Sequence, residues 1–287
     1  MTARIIDGKA TAARERERIT AEVAELAARG VVPGLAAVLV GDDPASHVYV
    51  RSKGKACEAV GMRSGNVVLP ADTTQERLHA ELDRLNADPG VSGIIVQLPL
   101  PPGLDPVAAQ ERTHPAKDVD GLHPISRGRL LRGDPVFVPA TPLGCRVLLD
   151  AYEVPVAGAD VVMVGRSELV GRPLAVLLSQ RDANATVTTC HTGTRELAEH
   201  TRRADIVVVA TGVPHTLTRG MIRAGAAVID VGVNRAEDGS LHGDADFADL
   251  VEVAGAITPV PGGVGPMTVT MLLHNTVLAA RHQAGLA

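Results

Sequence analysis

Val161-Val162-Met163-Val164-Gly165-Arg166-Ser167-Glu168-Leu169-Val170-Gly171-Arg172-Pro173-Leu174-Ala175-Val176-Leu177-Leu178 is the stretch on which the fold turns. Its first four residues are apolar and mostly β-branched, as in a buried strand. A loop bounded by Gly165 and Gly171 follows, and then an apolar helix. A strand that empties through glycines into a helix N-terminus is a place to hold a phosphate. Unsatisfied N–H groups point outward there, and the helix dipole favours negative charge. The spacing departs from G-x-G-x-x-G, so an ordinary glycine-containing strand–helix turn fits the same residues. Evidence for a nucleotide has to come from the rest of the chain.

Outward from this stretch, strands and helices alternate. Downstream, strands are predicted at Thr186–Cys190, Ile206–Ala210, Ala227–Val231 and Ala256–Ile257, with helices between the earlier ones. Upstream, a helix is predicted from about Ala10 to Ala28, with Ile19, Val23 and Leu26 on one face and Gly30 as terminator. Strand 35–40, a helix from about Ser46 to Val60 and strand 66–69 follow. Thr73 and Glu76 have capping-box spacing ahead of a helix striped with Leu78, Leu82 and Leu85. Strand 93–98 is stopped by Pro99, Pro101 and Pro102. Thr141-Pro142 can serve as N-cap and first residue of a helix running to about Tyr152. A last helix, from about Met267 to Arg281, follows a break over 259–266 and can return to the first unit.

This alternation predicts an α/β protein of two three-layer domains, the second a Rossmann-like parallel sheet. The boundaries are placed at 1–138 and 139–266. A cleft between two α/β units is a usual small-molecule site.

Composition narrows the function. Hydrophobic residues make up 45% and charged residues 21%, ordinary for a soluble globular chain of 287 residues. The net charge is −5 with no basic block, and two Tyr, two Phe and no Trp leave nothing for bases to stack on. Nucleic acid is therefore not expected as a partner. No apolar run reaches membrane-spanning length, and no secretory signal opens the chain, so no membrane role is expected. Cys57, Cys145 and Cys190 are odd in number and far apart, which fits reduced thiols in a cytoplasmic protein. The histidines lack metal-ligand spacing, so no metal is expected. The absence of G-x-S-x-G argues against a serine hydrolase.

Several residues can carry chemistry. Tyr49 and Lys53, four apart on a predicted helix, share a face and could form a proton-transfer centre, although such pairs are also common on surfaces. Gln97 ends an apolar strand, where a parallel sheet often meets its ligand, or else caps it. Asp118 and Asp120 could bind a donor-rich heterocycle or could form a turn. His191 and Thr192 follow the second strand of the nucleotide unit, where an NAD enzyme commonly carries an acid. With no acid there and Arg166 available, a 2′-phosphate is favoured, and hence NADP. The loop Pro261-Gly262-Gly263-Val264-Gly265-Pro266 allows close approach to a ligand and also suits a crossing between domains.

Taken together in order, these segments resemble the bifunctional methylenetetrahydrofolate dehydrogenase/methenyltetrahydrofolate cyclohydrolase (FolD) family. The resemblance runs along essentially the whole chain. It rests on Val40-Gly41-Asp42-Asp43-Pro44-Ala45-Ser46 with Tyr49 and Lys53, and on Val96-Gln97-Leu98-Pro99-Leu100-Pro101. It continues through Lys117-Asp118-Val119-Asp120-Gly121, Val164-Gly165-Arg166-Ser167 and Asp230-Val231-Gly232-Val233-Asn234. It ends with Pro259-Val260-Pro261-Gly262-Gly263-Val264-Gly265-Pro266-Met267-Thr268. Three positions depart from the family's common pattern: Ala140 for Cys, Leu122 for Phe and Thr192 for Ser.

The resemblance implies a folate cleft between the two domains, with the helix 267–287 packed back on the first. It implies Lys53 as the catalytic residue, tuned by Tyr49 and Gln97, with Asp120 on the pterin. Leu98, Pro261, Gly262 and Gly263 would complete the substrate site. Gly165, Arg166, Ser167, His191, Thr192, Thr211, Gly212 and Val233 would meet NADP. A homodimer acting on tetrahydrofolate derivatives is expected. The rival expectations are a shikimate-dehydrogenase-like NADP oxidoreductase and a non-catalytic NADP-sensing protein.

Overall fold

The computed structural model describes residues 2–286. The chain forms two compact units. One takes the residues up to Ala13 together with Thr141–Thr268, and the other takes Arg14–Ala140 together with the residues from Val269 onward. In chain order the elements begin β1 (Arg4–Ile5), α1 (Gly8–Ala28), β2 (Gly34–Val40), α2 (Pro44–Ala59), β3 (Arg63–Leu69), α3 (Gln75–Ala87) and β4 (Gly93–Val96). They continue α4 (Pro106–Arg112), α5 (Pro124–Arg132), α6 (Ala140–Ala151), β5 (Asp160–Val164), α7 (Gly171–Ser179), β6 (Thr186–Cys190), α8 (Leu197–Thr201), β7 (Ile206–Val209) and β8 (Ala227–Asp230). The last are β9 (Asn234–Arg235), β10 (Leu241–His242), α9 (Phe247–Leu250), β11 (Ala256–Ile257) and α10 (Val264–Gln283).

The unit containing 14–140 is built on a parallel sheet of order β3-β2-β4. β2 is buried along its whole length, as a central strand covered on both faces must be, and this is why its sequence is a continuous apolar run. Ala36, Val38 and Val40 lie on one face and form a core with Leu78, Leu82 and Leu85 of α3, together with Ile94 and Ala109. Asp43 caps α2 by accepting from the Ser46 N–H at 2.8 Å, with Pro44 in the first turn.

Some expected boundaries shift here. β3 begins at Arg63 rather than Asn66. The cap of α3 is Thr74, whose hydroxyl accepts from the Arg77 N–H. Thr73, one residue earlier, donates its hydroxyl to Pro70 O at 2.6 Å instead. β4 ends at Val96 rather than Leu98, although the Gln97 N–H still donates to Val38 O at 2.8 Å.

Two buried side chains tie this unit together over long sequence distances. Lys117 donates its ammonium to Leu85 O at 3.0 Å and Asp88 O at 2.7 Å, closing the C-terminal end of α3. Asn275 of α10 donates its amide to Val119 O and Val138 O, both at 2.8 Å. It thereby joins the backbone just before Asp120 to the segment that leads into α6.

The other unit is a six-stranded, wholly parallel sheet of order β1-β11-β8-β7-β5-β6. This is the Rossmann-like sheet expected from the sequence. Val162 and Val164 of β5, Val207 and Val209 of β7, Val228 and Ile257 point into one core, as strand alternation requires. β1 is too short to signal itself, and it pairs with β11 in the register Arg4↔Ala256. α6 begins at Ala140, so Thr141 lies inside the helix rather than at its cap, and its hydroxyl meets that of Thr268 at 2.9 Å. α10 begins at Val264, so Gly265 and Pro266 sit in its first turn rather than in the expected break. Proline is tolerated there because the first-turn N–H has no helical acceptor. The short helices α4, α5 and α9 and the antiparallel β9–β10 ribbon carry too little periodicity to be predicted. Among the described residues, no helix is long and apolar enough to cross a membrane.

Asn275→Ala leaves two carbonyls in the 14–140 unit without a donor. Urea unfolding should show a loss of about 2 kcal/mol, the usual penalty for buried unsatisfied polar groups. An unchanged midpoint would mean that the amide bonds do not hold the 119–138 segment.

Candidate functional site

The first constellation lies at the C-terminal edge of the β3-β2-β4 sheet. α2 follows directly on β2 and carries Tyr49 and Lys53 one turn apart. Lys53 is half-buried, and its Nζ donates to Gln97 Oε1 at 3.1 Å. The Gln97 amide nitrogen donates in turn to Leu98 O at 2.8 Å, which fixes the orientation of the amide. Asp120 stands opposite. Burial raises its pKa above the usual carboxylate value, and the Lys53 charge pulls it back. Among the described residues, the Asp120 carboxylate makes no hydrogen bond, so its lone pairs are open to a donor. Tyr49 is 56% exposed and forms no hydrogen bond to Lys53.

The two aspartates of the Asp118-Val119-Asp120 run therefore separate in role. Asp118 is buried and accepts from the N–H groups of Leu122 at 3.1 Å and His123 at 2.9 Å, and from the Ser126 hydroxyl. Burial pushes it up to about 6 against these donors. It is a turn former that seats the start of α5. Asp120 is the one left open to a ligand.

The second constellation lies along the C-terminal ends of β5, β6, β7 and β8. Gly165 has φ +123°, and a Cβ there would lie 2.2 Å from Ala210 O, while one on Gly171 would lie 2.3 Å from Gly165 O. Only glycine fits this strand–loop–helix crossing. The N–H groups entering α7 are not free, however. Those of Val170 and Gly171 donate to the Ser167 hydroxyl at 3.2 and 3.3 Å, and that of Arg172 donates to Ser167 O at 3.0 Å. The loop thus offers a ligand the exposed Arg166 guanidinium and the Ser167 hydroxyl rather than the helix N-terminus. Among the described residues Arg166 has no ion-pair partner, whereas Arg172 pairs with Glu168 at 3.3 Å.

At the end of β6, His191 Nδ1 accepts from the Gly193 N–H at 3.0 Å, which leaves Nε2 as the ring donor. Thr192 is exposed. Thr211, Gly212 and Val233 are exposed on the loops after β7 and β8. In the loop before α10, Pro261 is exposed, whereas Gly262 and Gly263 are buried. Gly262 O accepts from the Lys9 N–H at 3.1 Å.

The match to known proteins covers both halves of the chain. Residues 6–120 match the tetrahydrofolate dehydrogenase/cyclohydrolase catalytic domain, and residues 139–284 match the NAD(P)-binding domain of the same family. The chain belongs to the tetrahydrofolate dehydrogenase/cyclohydrolase family. It is 55% identical over 284 residues to the bifunctional protein FolD of Paraburkholderia xenovorans, covering 99% of each chain. It superimposes on the FolD crystal structure from Campylobacter jejuni with a TM-score of 0.95 at 45% identity, covering 97% of this chain and 99% of that one. The Trypanosoma brucei FolD structure, complexed with NADP and an inhibitor, matches with a TM-score of 0.93 at 42% identity, covering 99% of both chains.

Sequence reading of this family member passed over one group. Asp244, fully buried, stands between the loops that carry Thr211, Gly212 and Val233. Its side chain accepts from the Gly212 N–H at 2.9 Å, the Thr211 hydroxyl at 3.0 Å, the Thr211 N–H and the Asn234 amide at 2.8 Å. The N–H groups of Thr211 and Gly212 are therefore turned inward, and these residues can offer a ligand only shape and carbonyl oxygens. In sequence, Gly243-Asp244 looks like any turn, and no local spacing marks it. Of the departures from the family pattern, Ala140 and Leu122 are buried and Thr192 is exposed with its hydroxyl retained.

Proposed function

We propose that this protein oxidises 5,10-methylenetetrahydrofolate with NADP and hydrolyses the resulting 5,10-methenyl compound to 10-formyltetrahydrofolate. The observation that carries the proposal is the Lys53–Gln97–Asp120 cluster, in a chain whose halves match the catalytic and NAD(P)-binding domains of one family. A shikimate-dehydrogenase-like activity is not favoured by those matches.

The residues assigned to the folate are Tyr49, Lys53, Gln97, Leu98, Asp120 and the Pro261–Gly263 loop. Asp120, raised by burial and without a hydrogen-bond partner among the described residues, suits the N–H donors of a pterin. The one-carbon unit lies between two nitrogens whose lone pairs help expel hydride. That step asks the protein for orientation rather than for an acid. In the hydrolytic step the Lys53 ammonium first gives up a proton to solvent, and the free amine then accepts one from the attacking water as the C–O bond forms. It returns the proton to the departing nitrogen as the C–N bond breaks. Gln97 Oε1 holds the amine in place for both transfers.

NADP fits the residues at the edge of the six-stranded sheet. Among the described residues Arg166 has no ion-pair partner, and β6 ends in Cys190-His191-Thr192 with no carboxylate to repel a 2′-phosphate. Gly165, Arg166, Ser167, His191, Thr192, Thr211, Gly212 and Val233 would hold it. When bound, its nicotinamide supplies the hydride acceptor. The three free, buried cysteines suit work in the cytoplasm. β6 closes one side of its sheet with Thr186, Thr188 and Thr189 exposed, an unpaired edge that a second copy could cover in a homodimer.

Three measurements test this reading. Lys53→Met should lower methenyl hydrolysis about a hundred- to ten-thousand-fold and still form NADPH, so that the methenyl compound accumulates. Hydrolysis at the wild-type rate would remove Lys53 as the proton carrier, and no NADPH from the wild-type enzyme would sink the dehydrogenase assignment. Arg166→Ala should raise the apparent constant for NADP far more than that for NAD, whereas an equal rise would show that Arg166 does not read the 2′-phosphate. Sedimentation should find a dimer at micromolar protein, and a monomer alone would contradict the assembly.

A further inference from the structure

The network around Asp244 reaches past the residues that would touch NADP. Three segments meet on it: the loop after β7 through Thr211 and Gly212, the end of the loop after β8 through Asn234 at the start of β9, and its own loop, after β10. Its backbone is pinned as well. Asp230, buried at the end of β8, accepts from the N–H groups of Gly232 at 2.9 Å, Asp244 at 3.0 Å and Ala245 at 2.9 Å. The fit is close, since a Cβ on Gly232 would lie 2.1 Å from Asp244 Oδ1.

Four donors occupy the Asp244 carboxylate from two sides. Thr211 and Gly212 lie on Oδ2, and the Asn234 amide lies on Oδ1, while the same amide nitrogen also donates to Gly243 O at 3.1 Å. A carboxylate can accept on both oxygens and an amide cannot. In Asp244→Asn one side must present an NH₂ to a donor, either to the Thr211–Gly212 N–H groups or to Asn234. The site therefore requires a carboxylate, although nothing in the reaction asks for a charge there.

We infer that Asp244 is a positioning residue for the cofactor: it joins the loop after β7 to the loop after β8, so that both are held in their NADP-accepting shape before NADP arrives. Ordering the loops in advance removes that cost from binding. Asp244 touches no ligand in this account and acts through Thr211, Gly212 and Asn234. The inference rests on the reading that these loops bind NADP.

The two activities allow a discriminating test, because methenyl hydrolysis consumes no nucleotide. NADPH binding, followed by fluorescence, should weaken about ten-fold in Asp244→Asn, the effect of losing one to two hydrogen bonds to a charged acceptor. Hydrolysis of the methenyl compound should stay at the wild-type rate. Asn234→Ala keeps the carboxylate and removes one donor, so it should weaken NADPH binding by a smaller factor with hydrolysis again retained. It also decides the matter should Asp244→Asn fail to fold. Unchanged NADPH affinity in both variants, or parallel loss of binding and hydrolysis, would overturn the inference. Failure of the wild-type protein to bind NADPH would instead overturn the cofactor reading on which it stands.

Discussion

Parallel strand pairing is the constraint on which both candidate sites depend. In a parallel sheet every strand ends on the same edge, and each connection must return over a face before the next strand begins. In the three-stranded sheet, this puts the end of β2 and the end of β4 side by side. α2 then leaves from the end of β2, and Gln97 waits at the end of β4, 44 residues beyond Lys53. In the six-stranded sheet the same rule gathers the loops after β5, β6, β7 and β8 on one edge. Residues from 165 to 234 become neighbours there without any local sequence relation.

Polar groups at these edges are held largely by one another. Ser167 occupies the N–H groups at the start of α7, Asp118 those of Leu122 and His123, and Asp244 those of Thr211 and Gly212. Each of these side chains completes a turn whose backbone would otherwise need solvent. Among the described residues, the groups left without a partner include the Arg166 guanidinium, the ring donor of His191 and the Asp120 carboxylate. Lys53 is an intermediate case, with one bond to Gln97 and two protons still to direct. The distinction between satisfied and open polar groups separates scaffold from site more sharply than residue type does.

Much of this was legible in the chain itself. The apolar run 161–164 marked β5 as a buried strand, and the 3.6-residue period put Tyr49 and Lys53 on one helix face. Position at a strand end drew attention to Gln97. The errors have physical causes. Thr73 and Thr74 both satisfy the chemistry of a helix cap, and only the backbone path chooses between them. Thr141-Pro142 has the chemistry of a helix start, yet α6 begins at Ala140. Two-residue strands such as β1 have no period at all and exist only because β11 is there to pair with them.

The sequence by itself determined the alternation of elements, the parallel α/β class, the family and the candidate site residues, because these follow from periodicity and from short motifs kept in order. The tertiary structure decided which of those residues are free to act. Asp118 and Asp120 are indistinguishable as text. Asp118 lies where the chain bridges to Ile94, is buried and spends its lone pairs on a turn, while Asp120 faces Lys53 with its lone pairs open. Asp244 is likewise one more aspartate after a glycine until the fold brings the loops of β7 and β8 against it. A hydrogen bond between distant residues leaves no trace in local composition, so which polar groups are satisfied can be known only once the strands are assembled.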